Sequence, residues 1–297
     1  MQLDPIAIEA GMRLESLAAT DSTNAEARQR ARHGETGPLW ITAVEQTQGR
    51  GRQGRAWVSP PGNLYASLLL TDPSPFDRAP ELAFVAVLAL RDAIVAEVPA
   101  LAPELRFKWP NDLLLFGKKC AGILIEGEVA TLGATSGGTA GEGGPNRRAK
   151  VIIGIGVNCV KHPAIAPEAT TAPAADPARG AERIAFPATD LLAHGADIKP
   201  EQLFRRLSAT MCRRLSQWDR GRGFSATLGD WLTWARGIGE EITVREGAAE
   251  THGRFVGLDQ SGRLVLGLPD GGTKKISAGD VFPFEVWGGR GVWGART

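Results

Sequence analysis

The segment Val44–Leu70, VEQTQGRGRQGRAWVSPPGNLYASLLL, decides how the rest of the chain is read. Four glycines (Gly49, Gly51, Gly54, Gly62) and three arginines (Arg50, Arg52, Arg55) lie between two apolar runs, and no acidic residue occurs from Gln46 to Thr71. The flanks WITAVEQ and NLYASLLL are rich in β-branched and apolar side chains and read as buried strands, so the basic loop is anchored at both ends on a sheet edge. Glycine permits positive φ or a close backbone approach, and guanidinium forks grip carboxylate or phosphate oxygens with paired hydrogen bonds. The loop therefore suits an anion. Taken alone, it fits a solvated basic loop or a nucleic-acid patch equally well.

Upstream, Arg13 to Ala18 reads as a short strand, and Asp21-Ser22-Thr23-Asn24 opens a helix that runs through AEARQRARH to Gly34. Thr23 and Glu26 have capping-box spacing, and Gly34 stands where a C-terminal cap belongs. The same hydroxyls and free helix amides would also serve a polar ligand. Downstream, Pro80 to Val98 carries apolar residues at helical spacing and forms a core helix. LRFKWP, a turn at Asn111-Asp112, LLLF, a turn at Gly117-Lys118 and CAGILIEGEV then make an antiparallel meander.

The glycine-rich stretch from Gly133 to Ala149 has nothing to bury and reads as a flexible hairpin tip. KVIIGIGVN follows as a buried strand, Val160 to Ala188 has loop composition, and Pro200 to Trp218 and Phe224 to Trp234 are helices. After Gly237-Ile238-Gly239 the pattern changes to short alternating strands with hairpin turns, a small β-barrel of about 50 residues. The expected architecture is α+β: a mixed, largely antiparallel sheet with helices in residues 1–237, and the barrel in residues 238–297. The tail GGRGVWGART stays unassigned.

Composition narrows the function. A chain of 297 residues with 43% hydrophobic and 23% charged side chains suits a soluble globular protein of about two domains. With 34 basic against 33 acidic residues, no global field draws it to nucleic acid or to a membrane, so any positive charge that matters is local. Cys120, Cys159 and Cys212 form no CxxC pair, which argues against a disulfide framework or a zinc site. The start resembles no secretory leader and no window reaches a membrane span, so a cytoplasmic location is expected. About ten residues precede the first strand, too few for a helix-turn-helix module, and no DNA-binding domain is expected there.

Lys108-Trp109-Pro110-Asn111-Asp112 sets an ammonium, an amide and a carboxylate around a rigid turn. The group suits a polyphosphate with its Mg²⁺, and it also suits a plain turn. Gly117-Lys118-Lys119 is by default a hairpin turn, and Gly154-Ile155-Gly156-Val157-Asn158 lacks the third glycine and the helix of a dinucleotide fingerprint. No nucleophile motif occurs, and the four histidines have no mutual spacing, so catalysis would be electrostatic.

Jointly, DSTN, EQTQGRGRQGRAWVSPPGNLY, KWPNDLLLFGKKCAGILIE and IGIGVN resemble the biotin protein ligases in order and approximate spacing. The resemblance implies a synthetase-like catalytic fold with an SH3-like C-terminal domain. It implies that biotin and ATP form biotinyl-5′-AMP, which then acylates a lysine of a biotin carboxyl carrier protein. By match to the family's motifs, Ser22, Thr23, Asn24, Gln46, Gly49, Arg50, Lys119, Gly122 and Ile123 would bind biotin, with Ser22, Thr23 and Gln46 on its ureido ring. Arg52, Arg55, Trp57, Lys108, Asn111, Asp112 and Asn158 would serve ATP, with Trp57 on adenine and Asp112 on Mg²⁺. Arg50, Arg52 and Lys119 would be catalytic. DNA and membranes are not expected partners. A lipoate-type acyl ligase, a nucleic-acid-binding module and a biotin binder without catalysis are the competing readings.

Overall fold

The computed structural model describes residues 1–131, 147–163 and 187–283. The expected flexible tip at 133–146, most of the 160–188 loop and the C-terminal tail lie outside these residues. Residues 147–149, read from sequence as part of that tip, belong to a strand.

Seven strands form the main sheet: β1 (Arg13–Thr20), β2 (Leu39–Gln46), β3 (Leu64–Thr71), β4 (Leu105–Lys108), β5 (Asp112–Leu115), β6 (Lys118–Thr131) and β7 (Arg147–Val157). Their order is β1-β2-β3-β7-β6-β5-β4. Only β1 and β2 pair in parallel, which requires a crossover between them. That crossover is the second helix; α1 (Pro5–Glu9) precedes the sheet and α2 (Thr23–Arg32) links β1 to β2. The arginine loop joins β2 to β3 in the sheet interior rather than at an edge, because β1 pairs outside β2 and β7 pairs beside β3.

Strand alternation divides the two faces of the sheet. Leu64, Ala66, Leu68, Val151, Ile153, Ile155 and Val157 point into the large core, under α3 (Leu82–Glu97), α4 (Pro200–Trp218) and α5 (Phe224–Thr233). Leu69 and Ile152, of opposite parity, face Ala27 and Ala31 of α2 in a smaller apolar cluster. On that second face Ser67, Gly154 and Gly156 replace large side chains, so the sheet surface beside the N-terminus of α2 is left open.

The C-terminal unit is a five-stranded antiparallel sheet of β8 (Glu241–Glu246), β9 (Ala249–Leu258), β10 (Leu264–Gly267), β11 (Thr273–Ile276) and β12 (Asp280–Pro283), in the order β11-β10-β9-β8-β12. Among the described residues β11 and β12 are its two edges, and this small antiparallel sheet stands where the C-terminal barrel was expected. Its apolar face, including Ile242, Phe255, Leu264 and Leu266, joins the large core. Trp109 Nε1 donates to Gly262 O at 2.9 Å, and Phe84 and Phe224 pack against Gly262, which fixes this sheet over the β4–β5 turn. Among the described residues no helix is long and apolar enough to cross a membrane.

Candidate active site

A cleft of about 1200 Å³ opens on the α2 face of the main sheet. Glycines form its floor. A Cβ at Gly156 would stand 2.7 Å from the Trp57 ring, one at Gly122 would meet that ring at 3.3 Å, and one at Gly154 would fall 2.8 Å from Asn24 Nδ2. Missing side chains on β6 and β7 thus make room for Trp57 and Asn24.

One end of the cleft is polar and internally bonded. Ser22, in extended backbone, is the N-cap of α2, so the helix amides that follow point toward the cleft. The expected capping box is absent: Glu26 accepts from Thr20 Oγ1 at 3.1 Å, and Thr23 turns to the sheet. Thr23 N donates to Gln46 Oε1 at 2.9 Å, with Thr23 Oγ1 at 3.1 Å. Ser67 Oγ lies 2.8 Å from Thr23 Oγ1 and 2.5 Å from Asn24 Oδ1. Asn24 Nδ2 donates to Glu126 at 2.8 Å, and Glu126 is in turn paired with Arg28. Uncharged donors and acceptors held in this way suit a neutral polar ring.

The arginine loop folds on itself as an irregular hairpin. Gln46 N donates to Ser59 O at 3.2 Å, Trp57 N to Gly49 O at 2.9 Å, and Gly51 N to Arg55 O at 2.7 Å. At its tip Gln53 and Gly54 adopt φ of 54° and 71°. Trp57 walls the cleft, and its Nε1 is buried with no hydrogen-bond partner among the described residues.

The other end is cationic. Lys108 and Asp112 pair across the β4–β5 turn and Asp112 pairs with Gly122, so all three share the cleft face. Lys119 would point into the core by simple alternation. A bulge at Cys120 shifts the register, pairing Lys119 with Leu114, and turns the lysine onto the same face. Lys119 Nζ lies 2.6 Å from Asp112 Oδ1 and 5.4 Å from the Trp57 ring centre, and Lys108 Nζ lies 3.6 Å from Asp112 Oδ2. Burial pushes the Asp112 carboxyl up, but Lys119 and Lys108 outweigh it and hold the group below the usual range, so it is ionised. Arg52 donates to Asn111 Oδ1 at 3.0 Å and to Gly279 O at 3.4 Å, while Arg55 pairs with Asp280 of β12. Burial pushes the Arg52 guanidinium down, and the charges of Asp280 and Asp112 act against that shift.

Ser22, Thr23, Asn24, Gln46, Arg50, Arg52, Arg55, Trp57, Lys108, Asn111, Asp112, Lys119, Gly122, Ile123 and Asn158 all line this one cleft. Gly49 does not; it sits behind the loop, where a Cβ would be 2.5 Å from Ser59 Oγ. Asn158 donates to Thr189 O at 3.0 Å and so braces the cleft wall. Sequence reading passed over Ser59, Ser67, Glu126 and Asp280. Gly154 and Gly156 carried a usable signal, since glycines two apart on a strand share one face.

Residues 17–135 match the model of the Biotin/lipoate A/B protein ligase family, and residues 237–282 match that of the Biotin protein ligase C terminal domain. The chain is 41% identical over 270 residues to the biotin–[acetyl-CoA-carboxylase] ligase of Paracoccus denitrificans, covering 90% of this chain and 98% of that protein. It is 30% identical over 276 residues to the enzyme of the same name from Mycobacterium tuberculosis, covering 90% and 88%. The structure of Aquifex aeolicus biotin protein ligase in complex with biotin and ATP superposes with a TM-score of 0.67 at 25% identity, covering 91% of this chain and 97% of that one. The chain belongs to the biotin protein ligase family.

Proposed function

We propose that this cleft carries out both half-reactions of protein biotinylation with the residues assigned below. As a member of its family the chain is an ATP-dependent biotin ligase. In the first step a biotin carboxylate oxygen bonds to the α-phosphorus of ATP as the bond to pyrophosphate breaks. In the second, the amine of an acceptor lysine attacks the acyl carbon, loses a proton, and AMP leaves with the bonding electron pair. The acceptor is the carrier domain of a biotin-dependent carboxylase.

The observation that carries this assignment is the polarity of the cleft, with neutral hydrogen-bonding groups at one end and, at the other, five cationic side chains, of which Lys119, Lys108 and Arg52 surround Asp112. The ureido ring belongs at Thr23, Gln46 and Ser22, with Asn24 closing that end and Ile123 on the apolar path outward. Arg50 and Lys119 then meet the carboxylate, and Arg52, Arg55 and Lys108 meet the phosphates. Fixed cations in a partly buried site stabilise charge that moves onto the phosphoryl oxygens at no reorganisation cost. Trp57 offers its ring to adenine, while Asn111 and Asn158 position Arg52 and the wall.

Among the described residues no cluster of three or more metal-ligating side chains occurs. That fits Mg²⁺ arriving on the nucleotide, held by phosphates and water with Asp112 as the protein carboxylate, where it would neutralise phosphate charge. Arg52 and Arg55 are turned inward onto Asn111, Gly279 and Asp280, an arrangement that serves a cleft ligand rather than a nucleic-acid surface.

The test is biotin-dependent exchange of labelled pyrophosphate into ATP, with lipoate as the control acid. Exchange with biotin alone, lost in Arg50→Ala, is expected. Preferential exchange with lipoate would overturn the substrate assignment.

A further inference from the structure

We infer that Ser59, a residue outside the expected binding set, is the positioning residue that links the ring end of the cleft to the arginine loop. The inference rests on the reading above, in which Gln46 meets the ligand ring. Ser59 is only 7% exposed, and its hydroxyl joins the Gln46 side chain to the Trp57 carbonyl. Gln46 Nε2 donates to Ser59 Oγ at 2.8 Å, and Ser59 Oγ donates to Trp57 O at 2.8 Å. The direction of this chain is fixed at both ends. Gln46 Oε1 receives the backbone N–H of Thr23 at 2.9 Å, so the amide nitrogen must face Ser59. Trp57 O can only accept, so the one Ser59 hydrogen points to it.

An amide nitrogen carries two hydrogens, and Ser59 takes one. The other N–H of Gln46 is left for a carbonyl oxygen in the cleft. A ligand that engages it adds a further hold on Gln46, whose amide is bonded to the Ser59 hydroxyl and through it to the Trp57 carbonyl. Residues 46 and 59 are also the first pair of the loop's hairpin, through Gln46 N to Ser59 O. The space between the two arms is too tight for a side chain, since a Cβ on Gly49 would stand 2.5 Å from Ser59 Oγ and 3.0 Å from Gln46 Nε2. Arg50, Arg52 and Arg55 all lie between the two bonded residues. Occupation of the ring end therefore stiffens the segment that carries the phosphate-binding arginines. By reciprocity, phosphate held by those arginines tightens binding at the ring end.

The test uses the full chain and its Ser59→Ala variant, with biotin and an ATP analogue that cannot be cleaved between the α- and β-phosphorus. Biotin affinity is measured with and without the analogue, and trypsin cleavage after Arg50, Arg52 and Arg55 is followed with and without biotin. In the unsubstituted protein the analogue should tighten biotin binding, and biotin should protect the loop. In Ser59→Ala, biotin alone should bind within about threefold, while the tightening falls about tenfold and protection is lost. A variant that keeps both effects overturns the inference. So does one that loses biotin binding together with thermal stability, because the hydroxyl would then only support the fold. Absence of biotin binding in the unsubstituted protein would instead overturn the functional reading on which this inference rests.

Discussion

The Asp112 carboxylate holds Lys119 at 2.6 Å on one oxygen and Lys108 at 3.6 Å on the other. One anion thus holds two lysine side chains at the cleft, and at Lys108, where burial pushes the ammonium's pKa down, the Asp112 charge acts against that shift. Lys119→Ala removes one of the two cations proposed to meet the reacting carboxylate and leaves the ring end intact. Biotin binding should persist, and the adenylation rate should fall by about 10²–10³. Single-turnover formation of the adenylate, measured beside equilibrium biotin binding, checks this; near-normal turnover would assign the charge stabilisation elsewhere.

Arg55 and Asp280 tie the loop to the C-terminal sheet. The Arg55 side chain is 47% exposed, so the pair is worth little on its own and is screened by salt. Asp280→Ala should raise KM for ATP about two- to fivefold at low ionic strength, with biotin affinity unchanged and the difference shrinking as salt is added. A lower KM would instead mean that Asp280 competes with phosphate for Arg55.

Gly156→Ala places a methyl where the Trp57 ring now lies, 2.7 Å from its nearest atoms. The ring must leave the floor of the cleft. Adenylation should drop while the fold survives, and the Trp57 contribution to fluorescence should change. An unaltered rate would show that the ring position against Gly156 has no part in the reaction.

Glu35 supplies a pH signature away from the site. The hydrogen bonds from Arg13, helped by the backbone N–H groups of Gly37 and Thr36, lower its carboxyl to about 2 from an ordinary 4.5. The folded state binds fewer protons than the unfolded chain, so this contribution to stability is complete above about pH 4.5 and is lost as pH falls toward 2. Arg13→Ala should return Glu35 toward its ordinary titration, observed by NMR of its side-chain carbons, and flatten the acid side of the stability profile in that window.

Much of this site is legible from local sequence because its chemistry sits in turns and strand ends. The Gly-Arg loop, the Lys108–Asp112 turn and the N-terminus of α2 each carry their own short-range signal. What escaped reading depends on pairing between distant strands. Thr23 and Glu26 have capping-box spacing, yet Thr23 is drawn away by Gln46, and Glu26 by Thr20. Lys119 looks like one residue of a hairpin turn, and only the bulge at Cys120 explains its direction. Asp280 lies 225 residues from Arg55, and nothing near it in sequence marks it as a partner of the loop. Ser59, just before β3, and Ser67, inside it, are ordinary serines until the sheet register brings them to Gln46, Thr23 and Asn24.

The cleft floor owes its shape to atoms that are missing at Gly122, Gly154 and Gly156. Backbone cannot be trimmed further, so no single substitution on that floor can deepen it, whereas any of three added methyl groups would make it shallower. Attempts to change which acids this protein accepts are therefore asymmetric. Smaller or flatter acids can be selected from below, one carbon at a time, but bulkier acids must be admitted from the side, by shortening Trp57.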